Sequence, residues 1–166
     1  MKTAAGVRLV GCAVLSALVV LPSLSWAGFE EGMTAFSRGD FTTAMREWLP
    51  LAQQGNATAQ FGLGVMYDQG RGVPQDYAKA LKWYRLAAAQ GDAGAQFNLG
   101  VMCARGQGVP QDYVQAHMWY SLAASGFPPG PQRHGAVQAR GSVAKQMTPA
   151  QLAEAERLAR EWKPKQ

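Results

Sequence analysis

The sequence is nearly free of cysteine, since it has only Cys12 and Cys103. Cys12 lies in an N-terminal segment that we expect to be removed, and the one thiol that remains cannot form an internal disulfide. One thiol and two histidines, with no closely spaced pair among them, make a poor zinc-binding pattern. We therefore expect no metal, no cofactor and no disulfide, so that packing alone holds the fold together.

Charged residues are also scarce, and they form no run of one sign. Asp, Glu, Lys and Arg make up 16% of the chain, whose formal net charge is +5 at pH 7. Dispersed and mildly positive charge of this kind does not point to nucleic acid. The few neighbouring carboxylates lie near the chain ends, so the sequence has no glycosidase or protease pattern.

Long apolar runs are confined to the N-terminus, where residues 1–27 have the parts of a secretory signal peptide. Two basic residues come first, residues 9–21 are almost wholly apolar, and Ser25-Trp26-Ala27 provides a small-residue exit. The apolar run is too short for a bilayer span, which needs about 20 residues. We expect cleavage after Ala27 and no membrane insertion of the mature chain.

This interpretation places the mature protein in a bacterial periplasm or outside the cell. The alternative is that the N-terminal segment is retained as an anchor. Lipidation at Cys12 is disfavoured, because a lipidated cysteine should follow the apolar run, whereas Cys12 precedes most of it. Cleavage leaves residues 28–166, which is the usual size of one domain. The net charge of this mature chain is +3, since two basic residues leave with the signal.

The rest of the chain contains an internal repeat of 36 residues. Residues 55–90 and 91–126 are identical at 22 of 36 aligned positions. A weaker half-repeat at 28–54 keeps the same phase, with Trp48 at the position of Tyr84. Self-similarity at such a period is typical of solenoids, because one repeat cannot bury its apolar face alone and neighbouring repeats must stack.

Each full repeat predicts two helices joined by a glycine-rich turn. Apolar residues recur at three- and four-residue steps, which is the helical period. The turn at 70–74 breaks the first helix, Asp76 is the expected N-cap of the second, and Gly91 ends it. Gly64 lies inside the first helix at a cost near 1 kcal/mol relative to alanine. This glycine indicates the close approach of a neighbouring helix.

The repeated positions match the pattern of a known family. They resemble the Sel1-like repeat, a relative of the tetratricopeptide repeat, at Ala59, Leu63, Gly64, Tyr67, Gly70, Gly72, Val73, Asp76, Ala80, Trp83, Tyr84, Ala87 and Ala88. The second copy has all of these 36 residues later, except that Cys103 replaces Tyr67. The resemblance implies an all-α fold, a short right-handed α/α solenoid, whose members usually act as adaptors for protein complexes.

Two parts of the chain depart from this pattern. Pro50 stands where the repeat has Leu86, so we predict that it kinks or shortens its helix. The pattern stops after Gly126, and residues 127–166 predict a C-terminal pair of capping helices. Thr148, followed by proline, is a strong start signal for the last helix, which would cover the exposed end of the stack.

The possible chemical groups are better explained by packing. Cys103 is the one possible nucleophile, but its position in the apolar stripe predicts a small buried thiol, and catalysis would need a base such as His117 or His134. His117 aligns with Leu81, so we expect it in the packing as well. The Trp-Tyr pairs could stack on bases or sugars, yet their recurrence at one helical phase favours the core.

We therefore predict a protein-binding solenoid, not an enzyme, with an unidentified protein partner and no nucleic acid. We expect a monomer or weak self-association. A surface for the partner should use positions that vary between the repeats or are polar on the first helices. The candidates for this surface are Gln60, Asp68, Lys82, Gln96, Asn98 and Arg105.

Two other functions stay open at this point. One is a hydrolase similar to exported relatives of the family that have been associated with β-lactam binding. The cysteine pairs of those relatives and an S-x-x-K motif are absent here. The other is a structural factor of the cell envelope that contacts peptidoglycan or membrane, which mild positive charge permits without favouring it.

Overall fold

Helices make up most of the described chain. The computed structural model describes residues 22–165, with side chains from residue 28 onward. These residues contain no strand, which confirms the predicted all-α class. They fold into eight helices: α1 (Pro22–Ser37), α2 (Phe41–Gln53), α3 (Ala57–Gln69), α4 (Tyr77–Ala89), α5 (Ala93–Arg105), α6 (Tyr113–Gly126), α7 (Pro131–Ala144) and α8 (Pro149–Glu161).

The predicted signal peptide falls mainly outside the described residues. Its positive start and its apolar run belong to residues 1–21, and the structure gives no account of them. The backbone is helical from Pro22 onward, so the predicted cleavage point after Ala27 lies within α1. The signal peptide and its cleavage therefore stay predictions.

The helices pack in the order of the chain, as a solenoid requires. Each helix from α1 to α6 contacts the next one, and α3 also contacts α5. The first helices of successive repeats consequently lie side by side. Both α7 and α8 pack on α6. The C-terminal pair thus lies against the last full repeat.

Side-chain caps set the helix starts at the predicted places. Asp76 accepts a hydrogen bond from the backbone N–H of Lys79 at the start of α4, and Asp112 caps α6 in the same way. Thr148 and Gln151 form a reciprocal capping box at the start of α8. Each cap satisfies a backbone donor that the helix itself leaves unpaired. The start signals of both repeats and of the last helix are confirmed.

Pro50 does not shorten its helix. It lies in the last turn of α2, which is 13 residues long, the same length as α4. Loss of one N–H so near the helix end removes only one intrahelical bond. The prediction of a shortened helix is therefore wrong, and a kink stays a prediction.

In each of the three helix pairs formed by α1 to α6, a glycine of the first helix faces a large aromatic ring of the second. Trp48, Tyr84 and Tyr120 are all buried, which confirms that Tyr84 and Tyr120 belong to the core. The ring of each lies against a backbone position that has no side chain: Gly32 against Trp48, Gly64 against Tyr84, and Gly100 against Tyr120. The glycines let the paired helices approach closely, as predicted for Gly64.

The C-terminal tail returns across the stack after α8. Trp162 packs edge-on against Trp119 of α6, with ring centroids 6.4 Å apart. Beyond it, the Lys165 backbone N–H donates a hydrogen bond of 2.7 Å to the carbonyl oxygen of Ala89, at the end of α4. The tail thereby ties α8 to the second helices of both full repeats.

Candidate partner-binding groove

Two cavities lie next to each other on the face formed by the first helices. One has a volume of about 500 Å³ and is lined by α3, α5 and α7. The other has a volume of about 490 Å³ and is lined by α1, α2 and α3. Both are lined by Thr58 and Phe61. We call the combined depression the first-helix groove, defined by Phe29, Met33, Thr58, Phe61, Phe97 and Gln132.

The floor of the first-helix groove is a row of half-buried phenylalanines. Phe29, Phe61 and Phe97 come from α1, α3 and α5 in turn. Each ring packs on the large aromatic ring of its own helix pair, with centroid distances of 6.3 Å for Phe29–Trp48, 6.0 Å for Phe61–Tyr84 and 5.4 Å for Phe97–Tyr120. Because the rings are anchored in the core, the floor is a fixed apolar surface.

The two ends of the groove differ in chemistry. At the α1 end, Met33 is 46% exposed although it is a large apolar side chain. At the α7 end, the lining includes Asp92, Asn98 and Gln132. Among the described residues that line the two cavities, Asp92 is the one charged side chain. Burial raises the pKa of Asp92, while hydrogen bonds from backbone N–H groups at the start of α5 oppose that shift.

Two of the six predicted surface residues are buried. Gln60 is 4% and Gln96 is 2% exposed. The Gln60 side-chain amide donates a hydrogen bond of 2.9 Å to the carbonyl oxygen of Ala52, and its oxygen accepts one of 2.8 Å from Gln90. Gln96 reaches Ala88 in the same way at 3.4 Å. Both residues join neighbouring helices, so their placement on an exposed surface is corrected.

The other four candidates are not all part of the groove. Asn98 lines the first-helix groove. Asp68 lies in the last turn of α3 and accepts a hydrogen bond of 3.2 Å from the Tyr84 hydroxyl. Burial raises the pKa of Asp68, against this hydrogen bond and the charge of Arg105. Lys82 lies on α4, with its ammonium 5.9 Å from the Trp83 ring. Only Asn98 therefore belongs to the groove.

Cys103 is a buried thiol, as predicted. It is 9% exposed and forms no disulfide. It lines a separate cavity of about 370 Å³ between α4, α5 and α6. Burial raises the pKa of Cys103, and the charge of Asp112 adds to this, whereas Arg85 opposes it. The thiol is therefore protonated at neutral pH, which makes it a weak nucleophile.

His117 belongs to the packing of α6. Its side chain is 5% exposed, and its Nδ1 atom has no hydrogen-bond partner among the described residues. Burial lowers the pKa of His117, the positive charge of Arg140 lowers it further, and Glu156 opposes both. The prediction that His117 takes part in the packing is confirmed.

Two further properties bear on function. Between residues 22 and 165, no group of three or more His, Cys, Asp or Glu is arranged to hold a metal ion. The described helices also include none that is both long and apolar enough to cross a bilayer.

The phenylalanine floor was not among the predicted site residues, although the sequence carries a signal for it. The motif Phe-x-x-Gly occurs at Phe29, Phe61 and Phe97, once in each first helix. The first occurrence is 32 residues before the second, not 36, because the turn between α1 and α2 is four residues shorter. A search restricted to the 36-residue period therefore misses Phe29.

Comparison with known proteins points to one repeat family. The Sel1 repeat pattern matches residues 57–92 and 93–126, and no curated protein matches the chain. A crystal structure described as a protective antigen of uropathogenic Escherichia coli with an SLR fold is 32% identical, with a TM-score of 0.75. The match covers 82% of this chain but only 29% of that one.

A second solved structure is similar over most of its own length. It is a Sel1 repeat protein from Oxalobacter formigenes, which is 32% identical with a TM-score of 0.61. The match covers 71% of this chain and 88% of that chain. The likeness therefore extends beyond the two matched repeats to nearly the whole of a similar stack.

Proposed function

Because the chain belongs to the Sel1 repeat family, we propose that it is an exported adaptor, which holds a segment of a protein partner in its first-helix groove. Proteins with this repeat are typically scaffolds for protein interactions. The observation that carries the proposal is the apolar floor of Phe29, Phe61 and Phe97, with Met33 exposed beside it. Contiguous apolar surface of this kind marks interaction sites on soluble proteins.

The groove is suited to an extended peptide segment because it runs across several helices. It crosses α1, α3, α5 and α7, and its two cavities join at Thr58 and Phe61. Covering apolar surface contributes about 25 cal/mol for each Å² removed from water. The rings are already fixed by core packing, so little further ordering opposes binding.

The proposed function includes no catalytic step. The thiol of Cys103 is buried with a raised pKa, and burial lowers the pKa of His117, which keeps its imidazole neutral at pH 7. The groove itself contains one carboxylate, Asp92, and no second acid or base to work with it. The arrangement favours binding over the hydrolase alternative.

Export rests on the sequence of residues 1–27, whose charge, apolar run and small-residue exit are typical of a signal peptide. The test is fractionation of cells that produce the full chain, followed by sequencing of the N-terminus of the product. We expect the protein in the periplasm, starting at Gly28. A cytoplasmic product that starts at Met1 would contradict export and leave the groove proposal standing.

Site-specific crosslinking in cells tests the groove directly. A photoreactive amino acid is introduced at Met33 or Gln132, which line the two ends of the groove. Matched positions on α4 are Lys82 and Leu86, which are also exposed. We expect one dominant protein to be captured from both groove positions and from neither α4 position. Equal capture from α4, or capture from α4 alone, would contradict the proposal.

A further inference from the structure

Asp92 places a negative charge inside a groove that is otherwise neutral. It lines the α7 end together with Phe61 and Phe97. One carboxylate oxygen caps α5, where it accepts a hydrogen bond of 2.7 Å from the backbone N–H of Ala95. No lysine, arginine or histidine within the described residues forms an ion pair with Asp92. The charge is thus half-buried, and none of the described residues pairs a cation with it.

The preceding repeat shows that the cap itself needs no charge. Asn56 holds the equivalent position at the start of α3, where its side-chain oxygen accepts a hydrogen bond of 2.8 Å from the N–H of Ala59. Asparagine and aspartate are about equally good N-caps. The carboxylate of Asp92 therefore adds to the groove something that helix capping does not require.

Gly135 is a second feature of the same end that internal packing does not explain. It lies inside α7 and lines the cavity, yet no side chain or backbone beyond its own stretch of helix lies within 4 Å of the place where its Cβ would be. Glycine inside a helix is less favourable than alanine. The other two helical glycines that line the groove, Gly62 and Gly94, face the rings of Trp48 and Phe61. The gap above Gly135 is open to a bound molecule.

We propose that the α7 end of the first-helix groove selects a partner segment that carries a lysine or arginine. The basic group pairs with Asp92, a neighbouring large apolar side chain packs on Phe61 and Phe97, and the backbone of the segment passes over Gly135. This inference rests on the proposed function, because it assigns the chemistry of the segment that the groove binds. A hydrogen bond between a basic group and the Asp92 carboxylate is stronger in this half-buried site than it would be in water, because the local dielectric constant is lower.

A peptide selection tests this specificity. Random 12-residue peptides displayed on phage are selected on the purified protein, and the recovered sequences are synthesised with a fluorescent label for anisotropy titrations. We expect enrichment of lysine or arginine next to an aromatic or large aliphatic residue. Asp92→Asn should weaken the binding of these peptides about tenfold or more, since it removes the charge but keeps the cap.

The chain offers a matched control for the loss of charge. Asp112 caps α6 through the same kind of hydrogen bond by which Asp92 caps α5, but it lies outside the groove. Asp112→Asn changes the net charge of the protein by the same amount and should leave peptide affinity unchanged. If the two variants weakened peptide binding equally, the change in net charge would explain the loss of affinity, and the pairing at Asp92 would be overturned.

A second pair of variants tests the passage over Gly135. Gly135→Ala and Gly141→Ala both lie inside α7, and both added methyl groups would meet open space. Each should raise the melting temperature, because alanine favours the helix. Only Gly135→Ala should weaken peptide binding, since Gly141 does not line the groove. If Gly135→Ala bound the peptides as tightly as the wild type, the backbone of the segment would not pass over Gly135.

A blocking variant separates failure of the inference from failure of the proposed function. Thr58 is exposed and lies where the two cavities join, so Thr58→Trp should fill the groove without disturbing the core. One outcome is that the selected peptides do not bind this variant, yet contain no basic residue and bind Asp92→Asn as well as the wild type. This result would overturn the inference but not the proposed function. Peptides that still bind it, or a selection without binders, would overturn the groove as the binding site.

Discussion

The backbone of Gly100 lies directly against the ring of Tyr120. A methyl group on residue 100 would be 2.6 Å from ring atom Cδ1, closer than two carbon atoms that are not bonded can come. The same contact joins Gly64 to Tyr84 in the preceding repeat. These pairs set the distance between the helices of each repeat, and they hold the phenylalanines of the groove floor in place.

Gly100→Ala should therefore destabilise the protein, although alanine is the better helix former. Overpacking of a close-packed core costs about 1–3 kcal/mol, which outweighs the gain of about 1 kcal/mol in helix propensity. Gly141→Ala has nothing to collide with and should be stabilising. Urea denaturation of both variants measures the two changes. Equal effects of the same sign would contradict this account of the glycines.

Tyr84 should contribute through both its ring and its hydroxyl. Tyr84→Ala should cost about 3–5 kcal/mol in the free energy of unfolding, because the ring is fully buried. Tyr84→Phe should cost about 1 kcal/mol, since it removes the hydrogen bond to Asp68. In the next repeat, Ala104 replaces Asp68, so Tyr120→Phe should cost less. Thermal and urea unfolding measure all three, and a larger loss for Tyr120→Phe than for Tyr84→Phe would contradict the role of Asp68.

The buried glutamines should act on stability and not on a partner. Gln60→Ala removes two hydrogen bonds that join α3 to α2 and to Gln90, and we expect a loss of about 1–3 kcal/mol. Gln96 makes one longer bond of this kind, so Gln96→Ala should cost less. Both variants should bind the partner normally at temperatures where they stay folded. Weaker binding by a folded Gln60→Ala protein would return that residue to the site.

We expect the protein to lose stability in mildly acidic solution because His117 is buried. Its pKa in the folded protein is lowered by burial and by Arg140, against the charge of Glu156. The unfolded state therefore binds a proton more readily than the folded state. The stability that neutral His117 contributes is fully present above the ordinary histidine pKa of about 6.5, and it is lost as the pH falls through the pKa of His117 in the folded protein. Each unit of lowering corresponds to about 1.4 kcal/mol.

The preceding repeat supplies the variant that tests this prediction. Leu81 holds the position equivalent to His117 and is also buried. His117→Leu should remove the loss of unfolding free energy that sets in as the pH falls below the ordinary histidine pKa of about 6.5. The difference between the two proteins should be constant above pH 7, where the imidazole is neutral in both states. A difference that stays constant down to pH 5 would show that His117 does not titrate on unfolding.

Much of the fold follows from local signals in the sequence. The 36-residue period, the turn glycines and the caps at Asp76 and Thr148 are confirmed by the structure. These features act within a few residues of chain, so a single sequence carries them. The close approach at Gly64 was also predictable, because an interior helical glycine needs a packing reason and Tyr84 supplies it.

The candidate site was harder to predict because it depends on how the helices stack. Whether a polar residue faces solvent or a neighbouring helix is decided by distant partners, such as the Ala52 carbonyl that Gln60 reaches. The stacking of the helices also decides which residues line the groove. Asn98 on α5 does so, whereas Lys82 on α4 does not. Phe29 was hidden by the shorter turn before α2, which shifts it out of the 36-residue register.

Titration of the crosslinked partner, once purified, against two matched variants tests the central claim most directly. Met33 in the groove and Leu86 on α4 are similarly exposed, at 46% and 42%, so replacing either with glutamate should leave the fold intact. If the first-helix groove binds the partner, Met33→Glu should raise the Kd at least about tenfold, because a charge is buried in an apolar contact, while Leu86→Glu should leave it unchanged. Unchanged affinity for Met33→Glu, or a larger loss for Leu86→Glu, would contradict the claim.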